Sequence, residues 1–409
     1  MDFIRPAPEA LFVPPRLDRT FRSERKPDPL RERLATVVES ATLSLLEPNK
    51  IEALAFDMGV IKLRRVHHVG LLVSSLVLSA LERQSDTSGR WLDAQVVYNQ
   101  IGGSPAGKTS FRNKTRQVVP VMQEMLKRRM EELAEKTDDF EMRGRLKEFS
   151  NVLIPDGCAF KLASVLSGYF PGTGNPAELK LHAVYCVKTG MAETTQSAGR
   201  VHDNGGFTPA TWERGALYIW DLGYNDTGRF IDAIRAEAIP LQRLKSSADP
   251  LVLAWWDKEG HRHPIANEKG SPMRLKEAVQ LNDLALGTLD LDVELHDANG
   301  RRQVARAVRV VLDGKDRYYL TALSRDIFTP FDVAELYRVR WEVELFFRNW
   351  HGALRMDDVH RLRHVDSVQA HITASLLAAA LARDIHAGLA RISAVNADTA
   401  APSGVAIPP

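Results

Sequence analysis

Three carboxylates in this sequence have the chemistry and the settings to work on a phosphodiester. Asp156 follows the apolar run Val152-Leu153-Ile154-Pro155 and precedes Gly157. Asp221 follows Leu217-Tyr218-Ile219-Trp220 and precedes Leu222-Gly223. A carboxylate at the end of an apolar strand sits where α/β sheets place their sites, at the carboxyl edge. Asp-Gly is also a common turn, so either aspartate alone reads as a turn residue. Glu344 lies in YRVRWEVELFFRNWHGAL, from Tyr337 to Leu354, whose period is helical. At about 100° per residue, Tyr337, Arg340, Glu344, Arg348 and His351 fall in one stripe of roughly 60° of arc. Leu336, Val339, Val343, Phe346, Phe347, Trp350 and Leu354 occupy the other side. One side can pack on a core, and the other presents a carboxylate flanked by cationic and aromatic groups. A solvated charged face has the same pattern. Taken together, two strands and one helix would bring Asp156, Asp221 and Glu344 to one place. Such a set suits a pair of Mg²⁺ or Mn²⁺ ions, because both prefer hard oxygen ligands. Two ions about 3.5–4 Å apart serve in-line displacement at phosphorus.

The chain must supply a sheet and a helix for this. It has 409 residues, 44% hydrophobic and 26% charged, enough for two or three domains. The 54 Lys and Arg against 52 Asp and Glu give a net charge of +2. That excludes an acidic disordered chain and leaves any nucleic-acid affinity to local patches. Two cysteines, Cys158 and Cys186, are too few for a disulfide scaffold or a four-cysteine zinc site. A reducing cytosol is the expected compartment. The apolar stretches Val69 to Ala80 and Ile372 to Leu381 fall short of the roughly 20 residues of a bilayer span. A soluble protein without a membrane partner is expected.

Six segments follow from texture. Residues 1–30 read as a Pro- and Arg-rich arm and 31–148 as a helical N-terminal domain. Residues 149–249 hold strand-length runs at Asn151–Leu162, Lys180–Val187, Ala216–Trp220 and Pro240–Leu244, with a helix over Gly228–Ala238. Residues 250–325 are β-rich, with turns at Ala298-Asn299-Gly300 and Asp313-Gly314. Helices return over 326–392, and 393–409 reads as a disordered tail.

With these residues in view, the chain resembles bacterial insertion-sequence DDE transposases of the family with the Tyr-Arg-Glu-Lys signature. Tyr337, Arg340 and Glu344 stand at the signature spacings, and His351 stands where that family has Lys. Further matching runs are PDG at Pro155–Gly157, KLH at Lys180–His182, DLGY at Asp221–Tyr224 and RLKSSADP at Arg243–Pro250. The resemblance implies an α/β, RNase H-like catalytic core interrupted by a β-rich insertion, with an N-terminal helical domain and C-terminal helices. It implies Asp156, Asp221 and Glu344 as catalytic, metal-holding residues with two Mg²⁺ (or Mn²⁺) ions per site. Tyr337, Arg340, Arg348 and His351 would contact phosphates of the transposon end. The implied activity is metal-dependent cleavage and strand transfer at terminal inverted repeats, cut-and-paste, with a hairpin as one route. Double-stranded DNA, as inverted repeats and target, is the implied partner, and a homodimer on paired ends the implied assembly. The site of action would be the cytoplasmic nucleoid.

Away from the core, Lys108, Arg112, Lys114 and Arg116 open the most basic stretch of the chain, a candidate phosphate-tracking surface. Arg301, Arg302, Arg306 and Arg309 form a second basic strip. Trp255 and Trp256 suit either base stacking or core packing. A catalytically silent DNA-binding relative and an RNase H-like nuclease on other substrates are the competing readings.

Overall fold

The computed structural model describes residues 29–400 apart from 63–67, 82–89, 136–141, 143, 203–208, 210, 246, 282–283 and 285–286. The arm expected over 1–30 lies outside them except for its last two residues, which open the first helix. The chain divides into two units, residues 1–129 with 348–409, and residues 130–347.

Among the described residues, six helices come first: α1 (Pro29–Leu46), α2 (Pro48–Asp57), α3 (Val69–Leu81), α4 (Arg90–Gln100), α5 (Lys108–Gln117) and α6 (Val119–Glu135). The sequence of α3, VGLLVSSLVLSAL, is apolar on every side, and the helix is buried almost throughout. Its hydroxyls are satisfied: Ser75 Oγ donates to the Leu72 carbonyl at 2.7 Å and Ser79 Oγ to that of Leu76 at 2.9 Å, while Ser74 Oγ donates to the Leu46 carbonyl of α1 at 3.2 Å.

The second unit is built on one sheet. Strands β1 (Val152–Lys161), β2 (Glu178–Cys186) and β3 (Gly190–Ala198) are antiparallel neighbours. Strand β4 (Leu217–Trp220) pairs parallel with β1, and β5 (Ile239–Arg243) pairs parallel with β4. Between them runs α7 (Thr227–Arg235), capped by Asp226, whose carboxylate accepts the Arg229 N–H at 2.7 Å. All four residues of β4 are buried, as expected of a parallel strand covered on both faces. The order β3-β2-β1-β4-β5 is that of the expected RNase H-like core.

The β-rich block is not a separate domain. It comprises β6 (Leu251–Trp256), β7 (Arg262–Pro264), β8 (Met273–Arg274), the short α8 (Leu275–Ala278), β9 (Leu289–His296), β10 (Arg302–Leu312) and β11 (Lys315–Thr321). Strand β11 pairs antiparallel with β5, so one eleven-stranded sheet runs β3-β2-β1-β4-β5-β11-β10-β9-β6-β7, with β8 on β6. The free edge of β5 needs backbone partners, and the block supplies them.

The basic strip expected along this block does not form. Arg306 is 4% exposed and Arg309 2%. Arg306 is held by Asp290 at 2.6 Å and donates to the Phe328 carbonyl at 2.8 Å. Arg309 donates to the carbonyls of Leu284 at 2.8 Å and Gly287 at 2.9 Å. Arg301 pairs with Asp232 and Asp297. The tryptophans are engaged within the unit: Trp255 stacks on His263 at 4.4 Å, and Arg325 lies over the Trp256 ring at 4.8 Å.

The signature segment was expected as one helix and is two. Helix α9 (Pro330–Arg338) packs on β10 and β5, and α10 (Trp341–His351) follows after Val339 and Arg340. At the break the bonds shorten to i→i−3, with Arg340 N–H to the Tyr337 carbonyl at 3.1 Å and Val343 N–H to that of Arg340 at 3.2 Å. The start of α9 is a capping box with Pro330 at its first position. Thr329 Oγ1 accepts the Asp332 N–H at 3.2 Å, and Asp332 Oδ2 accepts the Thr329 N–H at 2.8 Å. Burial disfavours the Asp332 charge, but the Thr329 hydrogen bonds and the Arg145 cation outweigh it and hold the pKa below its ordinary value. Stability from this group is full above the ordinary value of 3.8 and is lost as pH falls below it. Thr329→Ala is expected to cost about 1 kcal/mol at neutral pH. The gap between wild type and variant in urea melts should narrow at pH 3; a gap that stays constant would contradict this account.

The chain then returns to the first unit. A 3₁₀ segment (Met356–Arg361) leads to α11 (Val365–Ala400), which packs on α1, α3 and α5. Of the helices expected with the core over 326–392, α9 packs on the sheet and α11 packs on the N-terminal helices. Helix α11 also continues to Ala400, into the segment read as a disordered tail; residues 401–409 lie outside the described residues. Its stretch Val365–Ala390 is long and apolar enough to cross a bilayer, longer than the sequence reading allowed, yet most of it is buried inside the unit.

Candidate active site

Asp156 does not end its strand. It sits inside β1, paired with Ala183 of β2, at the point where β1 outruns its other neighbour. The parallel register sets Val152 against Leu217 and Leu153 against Tyr218. Three residues further along both strands come Asp156 and Asp221. The two aspartates thus lie the same number of residues past the last paired rung of their strands. Asp221 follows β4 directly, in extended conformation (φ −78°, ψ 167°), and both aspartates are half-buried.

The signature helices bring the remaining groups. Arg340, at the break between α9 and α10, donates from Nη2 to Glu344 Oε1 at 2.6 Å and places Nη1 3.7 Å from Asp156 Oδ2. Burial works against the Arg340 charge, but the Glu344 hydrogen bond and the fields of Tyr337, Asp221 and Glu344 outweigh it and raise its pKa. One guanidinium thus lies among all three carboxylates. Among the described residues, no three His, Cys, Asp or Glu side chains come close enough to hold one metal ion between them.

Tyr337 was expected on the exposed stripe and is buried, 8% exposed, with its ring 5.1 Å from Tyr319. Burial pushes its pKa up from the ordinary phenol value. Tyr337 Oη and Arg340 Nε are both buried without a hydrogen-bond partner in the structure. Buried polar groups are usually satisfied, so these two donors beside the carboxylates have hydrogen bonds still to give. On the opposite side of α10, Phe346 packs against Tyr185 of β2 at 5.2 Å, fixing the helix on the sheet.

Behind Asp156 lies a buried polar chain that the residue types alone did not reveal. His182 of β2 is 1% exposed. Its Nδ1 lies 2.9 Å from Tyr224 Oη and its Nε2 3.0 Å from Ser197 Oγ. The Tyr224 N–H donates to the Asp221 carbonyl at 3.0 Å. A Cβ on Gly157 would come within 2.8 Å of Tyr224 Oη and 3.2 Å of His182 Nδ1. The PDG, KLH and DLGY runs are therefore one device: the glycine makes room for a histidine–tyrosine pair that ties β2, the neighbour of the Asp156 strand, to the Asp221 turn. Their presence together was the available signal. Gly157→Ala is expected to destabilise by about 1–3 kcal/mol through overpacking. Adding Tyr224→Phe, which removes the clashing oxygen, should recover part of that loss. Strict additivity of the two changes in chemical melts would refute the contact.

The other expected DNA-contacting residues lie in the helical unit. Arg348 is exposed, and His351 Nδ1 lies 3.0 Å from Asp357 Oδ1. Lys108, Arg112, Lys114 and Arg116 are on α5, where Lys114 Nζ donates to Gln117 at 3.1 Å and Arg116 Nε to Ser367 at 2.9 Å. Arg129, at the end of the same basic stretch, is paired with Asp384 of α11 at 2.6 Å and holds helices together.

Known proteins place this arrangement. Residues 149–381, more than half of the chain, match the family model described as the transposase DDE domain. A curated relative is the transposase for insertion sequence element IS1151 of Clostridium perfringens, 19% identical over 252 residues that cover 53% of each protein. The chain thus spans about half the length of the curated relative it matches. The matched region holds both aspartates, the arginine between the carboxylates and the glutamate, and on it the chain belongs to the transposase DDE domain family.

Proposed function

We propose that the chain is a DNA transposase that binds the terminal inverted repeats of its insertion sequence and catalyses cleavage and strand transfer. Water cuts one strand at the element end and releases a 3′-hydroxyl, which attacks the next phosphodiester, directly or through a hairpin. Asp156, Asp221 and Glu344 are the catalytic carboxylates. The observation that supports this reading is the shared guanidinium: Arg340 pairs with Glu344 and lies 3.7 Å from Asp156, and Asp221 directly follows the strand that runs parallel to that of Asp156.

The donor chemistry suits divalent cations, because all three are carboxylates and a positive group, Arg340, already lies at Asp156 and Glu344, although no three of the described side chains close on one ion as they stand. Mg²⁺ or Mn²⁺, when bound, would supply Lewis-acid stabilisation of the phosphoryl oxygens and ease deprotonation of the attacking oxygen. Arg340 can then turn its donors to a phosphate, for which a planar guanidinium is well shaped. Tyr337, a phenol donor, would give a second hydrogen bond from Oη. The break at Val339–Arg340 sets these two side chains at a fixed angle to Glu344. DNA is the partner, with two copies on paired ends, acting at the nucleoid.

The test is incubation of the chain with an end-containing duplex and Mg²⁺ or Mn²⁺. End-specific nicks carrying 3′-hydroxyls, abolished by EDTA, support the proposal. Specific binding without cleavage would make the chain a silent DNA binder. Cleavage without end preference would make it a nuclease.

A further inference from the structure

The helical unit contains a cavity of about 390 Å³ that the proposed chemistry does not use. Trp91 of α4 and Arg112 and Arg116 of α5 form one side, and Arg361, Arg363 and His364, just before α11, form the other. The acid on its wall, Asp358, is already paired with Arg355 at 2.9 Å. Among the described residues, none of the four arginines has an ion-pair partner.

The wall is built, not loose. Arg116 is oriented by Ser367, a buried residue 2% exposed, whose Oγ accepts from Nε at 2.9 Å. His371, also 2% exposed, donates from Nε2 to the Arg355 carbonyl at 3.1 Å. Arg355 has a left-handed backbone (φ 49°) that turns the chain into the 3₁₀ segment carrying Arg361. The core helix α11 thus anchors the turn that presents Arg361 and Arg363.

Four cationic forks converging from segments some 250 residues apart repel one another unless an anion lies between them. Guanidinium groups match phosphate oxygens two at a time, and an indole adds a flat apolar wall. We propose that this cavity is a phosphate-binding site that takes backbone phosphates of DNA, which rests on the reading of the chain as a DNA transposase. Arg361, Arg363 and Trp91 then join α5 in one contact surface, and a segment following the signature helix becomes part of DNA binding.

The experiment measures binding of the full chain to a labelled inverted-repeat duplex by fluorescence anisotropy, without divalent metal, over a range of NaCl concentrations. A parallel titration uses inorganic pyrophosphate. Arg361→Ala with Arg363→Ala should weaken DNA binding on the order of tenfold and lower the salt slope by about 2. Arg361→Lys with Arg363→Lys should restore most of the slope. Arg214→Ala, an exposed arginine of the sheet unit paired with Glu237, should change neither. Unchanged affinity and slope in the alanine variant, with wild-type binding intact, would overturn the proposal alone. Loss of pyrophosphate binding with DNA binding unchanged would also overturn it, in favour of a free polyphosphate ligand. A wild type that binds no DNA would overturn the transposase reading and this site with it.

Discussion

Asp156→Asn is expected to lower DNA cleavage on the order of a thousandfold while the protein stays folded and keeps its DNA affinity. The substitution keeps the shape of the side chain and its acceptor oxygen. Asp156 Oδ1 accepts the Gly157 N–H at 2.7 Å, and an amide oxygen can take that bond. Only the charge is lost. A neutral amide is a poor ligand for a hard cation, and it no longer holds Arg340 on its far side. A thousandfold is the upper end of what removal of one stabilising group costs, and corresponds to about 4 kcal/mol of barrier. Glu344→Gln should behave alike, since Glu344 makes the shorter contact to Arg340. Cleavage by Asp156→Asn at more than a tenth of the wild-type rate would remove Asp156 from the mechanism.

The largest stability effect is expected at Arg306→Leu. The arginine is buried, shares Asp290 with Arg325, and donates to the carbonyls of Leu323 and Phe328. Leucine fills part of the space but leaves a buried carboxylate half-compensated and backbone acceptors unpaired. Breaking such a pair from one side costs about 3–5 kcal/mol. For a domain of this size that is about 10 °C in Tm. The carbonyls belong to the loop that enters α9, so the variant should also hold Tyr337 and Arg340 less firmly. A calorimetric Tm within 2 °C of wild type would show that the loop does not depend on this hub.

Much of the sheet was legible because its central strands are buried. Val152–Ile154 and Leu217–Trp220 are apolar runs, β9 (LDLDVELH) alternates apolar with polar, and the turns at Asn299-Gly300 and Asp313-Gly314 carry the left-handed residues that hairpins need (Gly300 φ 76°, Asp313 φ 51°, Gly314 φ 69°). Strand β3 was missed because it is an edge. GMAETTQSA is mostly polar, and its pairing to β2 comes from backbone bonds that leave no apolar signature. The break before α10 was hidden for another reason. Two residues with i→i−3 bonds preserve the Arg340–Glu344 adjacency, so the helical period survives across it. The partition of the chain was illegible because sequence order does not say which helices share a core. The apolar α11 is covered by α1 and α3, far away in sequence. His182 and Tyr224 were visible only as letters within short runs, since their link depends on a register between β1 and β2 that composition cannot give.

The union of β5 with β11 bears on how this protein can be shortened. A single ladder of amides and carbonyls reaches from the strand behind Asp156 to the outer rim at β7. Excising the block between Pro250 and Leu323 would leave the outer side of β5 as a bare template for other chains, and aggregation is the foreseeable result. Trimming should instead be confined to hairpin tips such as Ala298–Gly300, where no rung is cut.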